Sequence, residues 1–124
     1  MRIRQYTLAL LLALPAVSGA ILPLNPALAA TATATGKLGD LSSFHAIVAD
    51  TLALSKAGKL AQAQKRITDF ETAWDAATAK LYTLDVQQWT VIDNAADKAI
   101  TSLREKSPTR AKAVSALTGL LGDL

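Results

Sequence analysis

Trp89, Asp93 and Asp97 follow one another at four-residue steps, and Arg104 stands one heptad beyond Asp97. On a helix this spacing places an indole, two carboxylates and a guanidinium along one side. Such a stripe suits two kinds of chemistry. It can receive a basic partner segment, with Trp89 as the aromatic contact, or present a carboxylate pair to a hard cation. A plainer reading competes with both: Asp93 and Asp97 at the polar border of a bundle helix, bonded to Lys or Arg on a neighbouring helix. Like charges at this spacing repel by a few tenths of a kcal/mol. Ca²⁺ takes about six or more oxygens, and one helix side supplies only two carboxylates.

Other chemistry has less to stand on. The chain has one histidine, His45, beside Phe44 near the start of a helix, and no cysteine. Neither a glycine-rich phosphate loop nor a G-x-S-x-G turn is present. No nucleophile and base can be assembled, and a zinc or copper site would need several His or Cys. These residues point to a non-enzymatic protein with no catalytic residue and no cofactor.

The elements that position the stripe are helices. Leu60 to Leu84 carries two interleaved seven-residue series, Leu60, Ile67, Trp74, Leu81 and Ala63, Phe70, Ala77, Leu84, without an intervening Pro or Gly. That is the apolar seam of a second helix of about 24 residues, roughly 36 Å long. Trp74, on the seam, reads as core. Arg66 and Asp69 are spaced to pair on its solvated face. Before it, Phe44, Ile47, Val48, Thr51 and Leu52 make the buried stripe of a first helix capped by Ser42 or Ser43 and ended at Gly58.

After it, Asp85 and Gln88 have capping-box spacing. They open a third helix that reaches about Lys106, with Trp89, Ile92, Ala96, Ala99, Ile100 and Leu103 inward. Ser107 then caps a fourth helix with Pro108 at its first position, and Ala111, Val114, Leu117 and Leu121 face inward. Four helices with short joints predict an all-α, up-down four-helix bundle, the rival being a three-helix core with a short C-terminal helix docked loosely. Periodicity alone does not separate a monomeric bundle from a dimer of hairpins.

Residues 1–29 have the form of a secretory signal peptide. Arg2 and Arg4 precede an apolar run from Leu8 to Val17, and Ala27-Leu28-Ala29 is a small-x-small cleavage pattern. Cleavage near Ala29, or alternatively after Ala20, predicts a periplasmic protein without stable membrane insertion. Residues 30–41, rich in Thr, Ala and Gly, read as a flexible N-terminal tail, and 42–124 as the bundle domain. Without Arg2 and Arg4 the formal charge falls from +3 to +1, so the overall balance gives no ground for nucleic acid or anionic lipid as a partner.

The run from Phe70 to Asp75, then Trp89-x-x-x-Asp93-x-x-x-Asp97-x-x-x-x-x-Leu103-Arg104 and Pro108, resembles a group of small exported helical proteins of Gram-negative bacteria. The resemblance covers Phe44 to Leu121. It implies a periplasmic location and a helical fold, and it carries no mechanism. The expectation is therefore a periplasmic interaction or accessory protein with a protein partner, using Trp89, Asp93, Asp97 and Arg104. The alternative is a small-ligand or metal-cation binder using the carboxylate pair.

Overall fold

The computed structural model describes residues 36–124. The expected leader, 1–29, and residues 30–35 of the expected tail lie outside the described residues. Four helices follow in order: α1 (Ser42–Lys56), α2 (Leu60–Leu84), α3 (Val86–Arg104) and α4 (Arg110–Asp123). Each packs on its neighbour in sequence, and α4 closes on α1. The result is an up-down four-helix bundle in which α4 is integral, with Ala113, Leu117 and Leu120 fully buried. Among the described residues no helix is long and apolar enough to cross a membrane.

The first hairpin forms as the spacing predicts. Phe44, Val48, Thr51 and Leu52 of α1 face Ala63, Ile67, Phe70 and Trp74 of α2, and all are buried. Gly58 ends α1 at φ +75°, where a residue with a Cβ is strained. There its N–H donates to Ser55 O and that of Lys59 to Leu54 O, which satisfies carbonyls the helix leaves free. Arg66 donates to Asp50 across the hairpin at 2.9 Å and to Asp69 on its own helix at 3.0 Å. The buried hydroxyls bond within their helices, Thr51 to Ile47 O and Ser55 to Thr51 O, so they enter the core without an orphaned group.

A single extended residue, Asp85, joins α2 to α3. Its carboxylate accepts from Gln88 N–H at 2.8 Å, as the spacing predicts. The reciprocal half of the capping box does not form, because the Gln88 side chain donates instead to Asp123 O at 3.4 Å. That bond ties the start of α3 to the end of α4.

The structure corrects several details at the ends. No hydroxyl caps α1; Asp40 accepts from Ser42 N–H at 2.9 Å. A carboxylate, which carries full charge, is the stronger acceptor for a helix N-terminus. α3 stops at Arg104, two residues short of Lys106, where Glu105 turns extended. The cap of α4 is Thr109, which accepts from Lys112 N–H at 3.3 Å. Pro108 precedes the helix, its ring favouring an extended residue before it. Ala111 is exposed, and Ala113, Leu117 and Leu120 take the inward positions. Adjacent leucines at 120 and 121 leave that register open in the sequence; contact with both α3 and α1 decides it. Leu84, the last residue of the α2 seam, is 51% exposed, because α2 turns directly into α3 there.

Residues 36–41 are part of the packing. Leu38 is 3% exposed within the core, a turn holds it with Gly39 N–H donating to Gly36 O, and Lys37 Nζ lies 3.4 Å from Asp85. Leu38→Ala should therefore lower unfolding stability by about 2–4 kcal/mol, measured by urea denaturation. A change below about 0.5 kcal/mol, the range of a surface substitution, would mean that this segment adds nothing to the core.

Candidate functional site

The stripe read from the sequence lies on the outer face where α2 meets α3, and its centre is a column of aromatic rings. Phe44 of α1 meets Phe70 and Trp74 of α2 edge to face, at centroid distances of 5.9 and 5.3 Å. Phe70 stacks on Trp74 at 5.7 Å, and Trp74 lies parallel to Trp89 of α3 at 6.5 Å. Tyr82 then closes on Trp89 edge to face at 5.2 Å. The geometries are those that the ring quadrupoles favour. The column runs from the buried centre to the surface, ending at Tyr82, which is 49% exposed.

Asp93 faces Trp74. Its Oδ1 accepts from Trp74 Nε1 at 3.0 Å, so the carboxylate orients a buried indole rather than bonding a cation on a neighbouring helix. Trp74 is core, as expected, and at 2% exposure its N–H needs such an acceptor. Trp89, one ring away, has a buried Nε1 with no hydrogen-bond partner. The two indoles are parallel, and the Asp93 carboxylate serves only Trp74.

Arg104 is brought to α2 and away from the aspartates. Both its terminal nitrogens reach the Glu71 carboxylate, and one also donates to Thr68 Oγ1 at 3.2 Å. The forked pair holds Glu71 below the ordinary glutamate range, chiefly through the hydrogen bond from Arg104, against a smaller opposing effect of desolvation. Asp97 is exposed and forms no side-chain hydrogen bond or ion pair among the described residues. The stripe thus separates into an indole pair with its acid, a cross-helix clamp, and a free carboxylate. Among the described residues no three His, Cys, Asp or Glu come together as a metal-holding group, and His45 is exposed on α1.

Three contributors escaped the sequence reading: Glu71, Tyr82 and the donor role of Trp74. The signal for Trp74 was present, since any tryptophan on a seam needs an acceptor and a neighbouring antiparallel helix offers acids. Tyr82, Leu84 and Val86, at 49, 51 and 45% exposure, surround the Asp85 corner beside Trp89. The corner thus exposes one aromatic and two aliphatic side chains, of which Tyr82 packs on Trp89. A separate open groove of about 650 Å³ runs between α3 and α4, lined by Ala95, Lys98, Ser102, Ala116, Gly119 and Leu120; it presents no aromatic side chain.

The two indoles should respond differently to the same change. Trp74→Phe removes a satisfied donor and strands Asp93, whereas Trp89→Phe removes an unsatisfied one. Denaturant unfolding should find Trp74→Phe costlier by about 1–2 kcal/mol; equal costs would mean that the Asp93 bond contributes nothing. The Glu71 pair sets an acid limb. Its folded pKa lies below the unfolded one, so its contribution is present above the unfolded value and is lost as pH falls through the folded value. Glu71→Gln should remove that part of the pH dependence, and partial exposure keeps the effect below about 1 kcal/mol. An unchanged acid limb would show that the pair is uncoupled from folding.

In comparisons with known proteins, no family model, no curated protein and no solved structure matches this chain.

Proposed function

We propose that this chain is a non-enzymatic interaction or accessory module, exported to the periplasm, that docks a protein partner at the α2–α3 corner. The observation that carries this reading is the set of large apolar side chains exposed at that corner. Tyr82, Leu84 and Val86 stand exposed on either side of Asp85, and Tyr82 packs edge to face on Trp89. A partner that covers this rim removes its apolar surface from water, at about 25 cal/mol per Å². Aromatic side chains at the centre of such a patch supply most of the binding energy in many interfaces. Export is supported by the form of residues 1–29 alone.

The cation reading is weaker on this geometry. One of its two carboxylates, Asp93, is engaged by Trp74, and among the described residues no three His, Cys, Asp or Glu come together to hold a metal. Ca²⁺ or Mg²⁺ should accordingly leave the melting temperature unchanged, whereas stabilisation that disappears in Asp97→Asn would restore that reading.

A photo-crosslinking residue at Leu84 or Val86 should trap a discrete adduct in the cells of the protein's own host, and the same residue at Lys65, on the opposite end of α2, should not. Tyr82→Ser should weaken the adduct at least tenfold, about 1.4 kcal/mol, while changing the fold's stability little. Equal crosslinking at both ends, or none at the corner, would overturn the proposal.

A further inference from the structure

The net charge of the chain, +3, or +1 without Arg2 and Arg4, conceals an uneven distribution. In an up-down bundle the α1–α2 and α3–α4 turns lie at the same end. Lys56 and Lys59 flank the first turn, and Lys106 and Arg110 flank the second. All four are exposed, and none is ion-paired among the described residues, whose pairs are formed by Lys37, Arg66, Arg104 and Lys112. The acid of that end, Glu105, is occupied by Lys112 at 3.2 Å. Asp40, Asp85 and Asp123 lie at the other end, with the chain's entry to α1, the α2–α3 corner and the end of α4, and there Lys37 pairs with Asp85 at 3.4 Å.

Helix stability does not account for this placement. Lys56, in the last turn of α1, favours its helix. Lys59 and Arg110 do the reverse: Lys59 is the N-cap of α2 and Arg110 the first residue of α4, where the positive end of the macrodipole repels a cation. Neither helix has an acid in its first turn to compensate. Four free cations are thus held together at one end where two of them oppose the local preference, and such departures are expected where a surface has another use.

We infer that this end of the bundle docks on an anionic membrane surface, binding lipid headgroups without inserting. The inference stands apart from the α2–α3 corner, which is at the opposite end. Its shape fits a planar array better than a strand. Exposed Ala57, Gly58 and Ser107 lie between the cations, so the end is blunt and can approach closely. It offers no aromatic for stacking bases, the exposed Tyr82 being at the far end. Four free cations at one end, against the negative charge of Asp40 and Asp123 at the other, where Lys37 pairs with Asp85, make the domain an electric dipole that turns the basic end toward a negative surface before contact, and leave the aromatic corner facing away from the lipid.

The test uses vesicles of phosphatidylcholine with and without phosphatidylglycerol, at low and high salt. The purified protein should bind more tightly to the anionic vesicles, and salt should abolish the difference. Lys59→Gln with Lys106→Gln should weaken that binding about thirtyfold, about 2 kcal/mol at the usual contribution of a surface cation. Lys37→Gln with Lys80→Gln removes the same charge from elsewhere and should change it less than about threefold. Because the chain has no cysteine, a polarity-sensitive dye can be placed at one position: Ser107→Cys should report the bilayer and Gln87→Cys should not. No preference for anionic vesicles, equal losses in the two double variants, or a response at Gln87→Cys would each overturn the inference.

Discussion

Trp74 is the side chain on which the arrangement of three helices depends. It stacks on Phe70 of its own helix, takes Phe44 of α1 against its edge, lies parallel to Trp89 of α3, and donates its one hydrogen bond to Asp93. A buried apolar side chain can slide or rotate at small cost while its contact area is conserved. An indole tied by a directional bond cannot, because rotation would leave both the N–H and the carboxylate short of a partner in a medium where such groups are expensive. The bond therefore fixes the register of α3 on α2, and the edge contact with Phe44 carries that register to α1. α4 joins by other means, through Ala113, Leu117 and Leu120 and the Gln88 bond to Asp123 O. Its place is set by aliphatic fit, where adjacent leucines allow more than one solution.

The column also explains how an unpaired donor can persist at Trp89. Its ring is held between Trp74 and Tyr82, and aromatic pairs contribute about 0.5–1.5 kcal/mol beyond the area they bury. Two such pairs offset an orphaned N–H of about 1–3 kcal/mol. The position is tolerated rather than optimal. It lies where the column meets solvent, so the incomplete hydrogen bonding and the exposed apolar rim occur together, whereas the interior end of the same column is fully satisfied.

Much of the fold was legible because helices announce themselves locally. The seam from Leu60 to Leu81, the stop at Gly58 and the Asp85 cap each depend on residues within a turn of one another, and each formed as the spacing predicts. The candidate site was less legible because its partnerships cross between helices. Spacing put Trp89, Asp93, Asp97 and Arg104 on one side of α3, which is what a helix can specify. It could not say that Arg104 would reach Glu71 on α2, although a heptad step of about 10 Å already separates Arg104 from Asp97. Nor could it say that Asp93 would meet an indole instead of a cation. The misread ends have a similar origin: Ser107 and Thr109 can each cap, and only the packing of α4 against α1 and α3 selects between starts two residues apart.

Charge illustrates the same limit more sharply. A formal balance of +1 over the chain without Arg2 and Arg4 describes a sum, and a sum has no direction. Folding into an up-down bundle sorts the joints by parity: the first and third turns go to one end, the second turn to the other. Lys56 and Lys59 are about fifty residues from Lys106 and Arg110, and only this topology makes them neighbours on one surface. The second turn takes Tyr82, Leu84 and Val86 to the opposite end. A shift of one helix in the connectivity would scatter the cations and mix them with the aromatic corner. The two-ended character therefore belongs to the fold as much as to the residues, and reading it requires the order of the helices before the identity of the side chains.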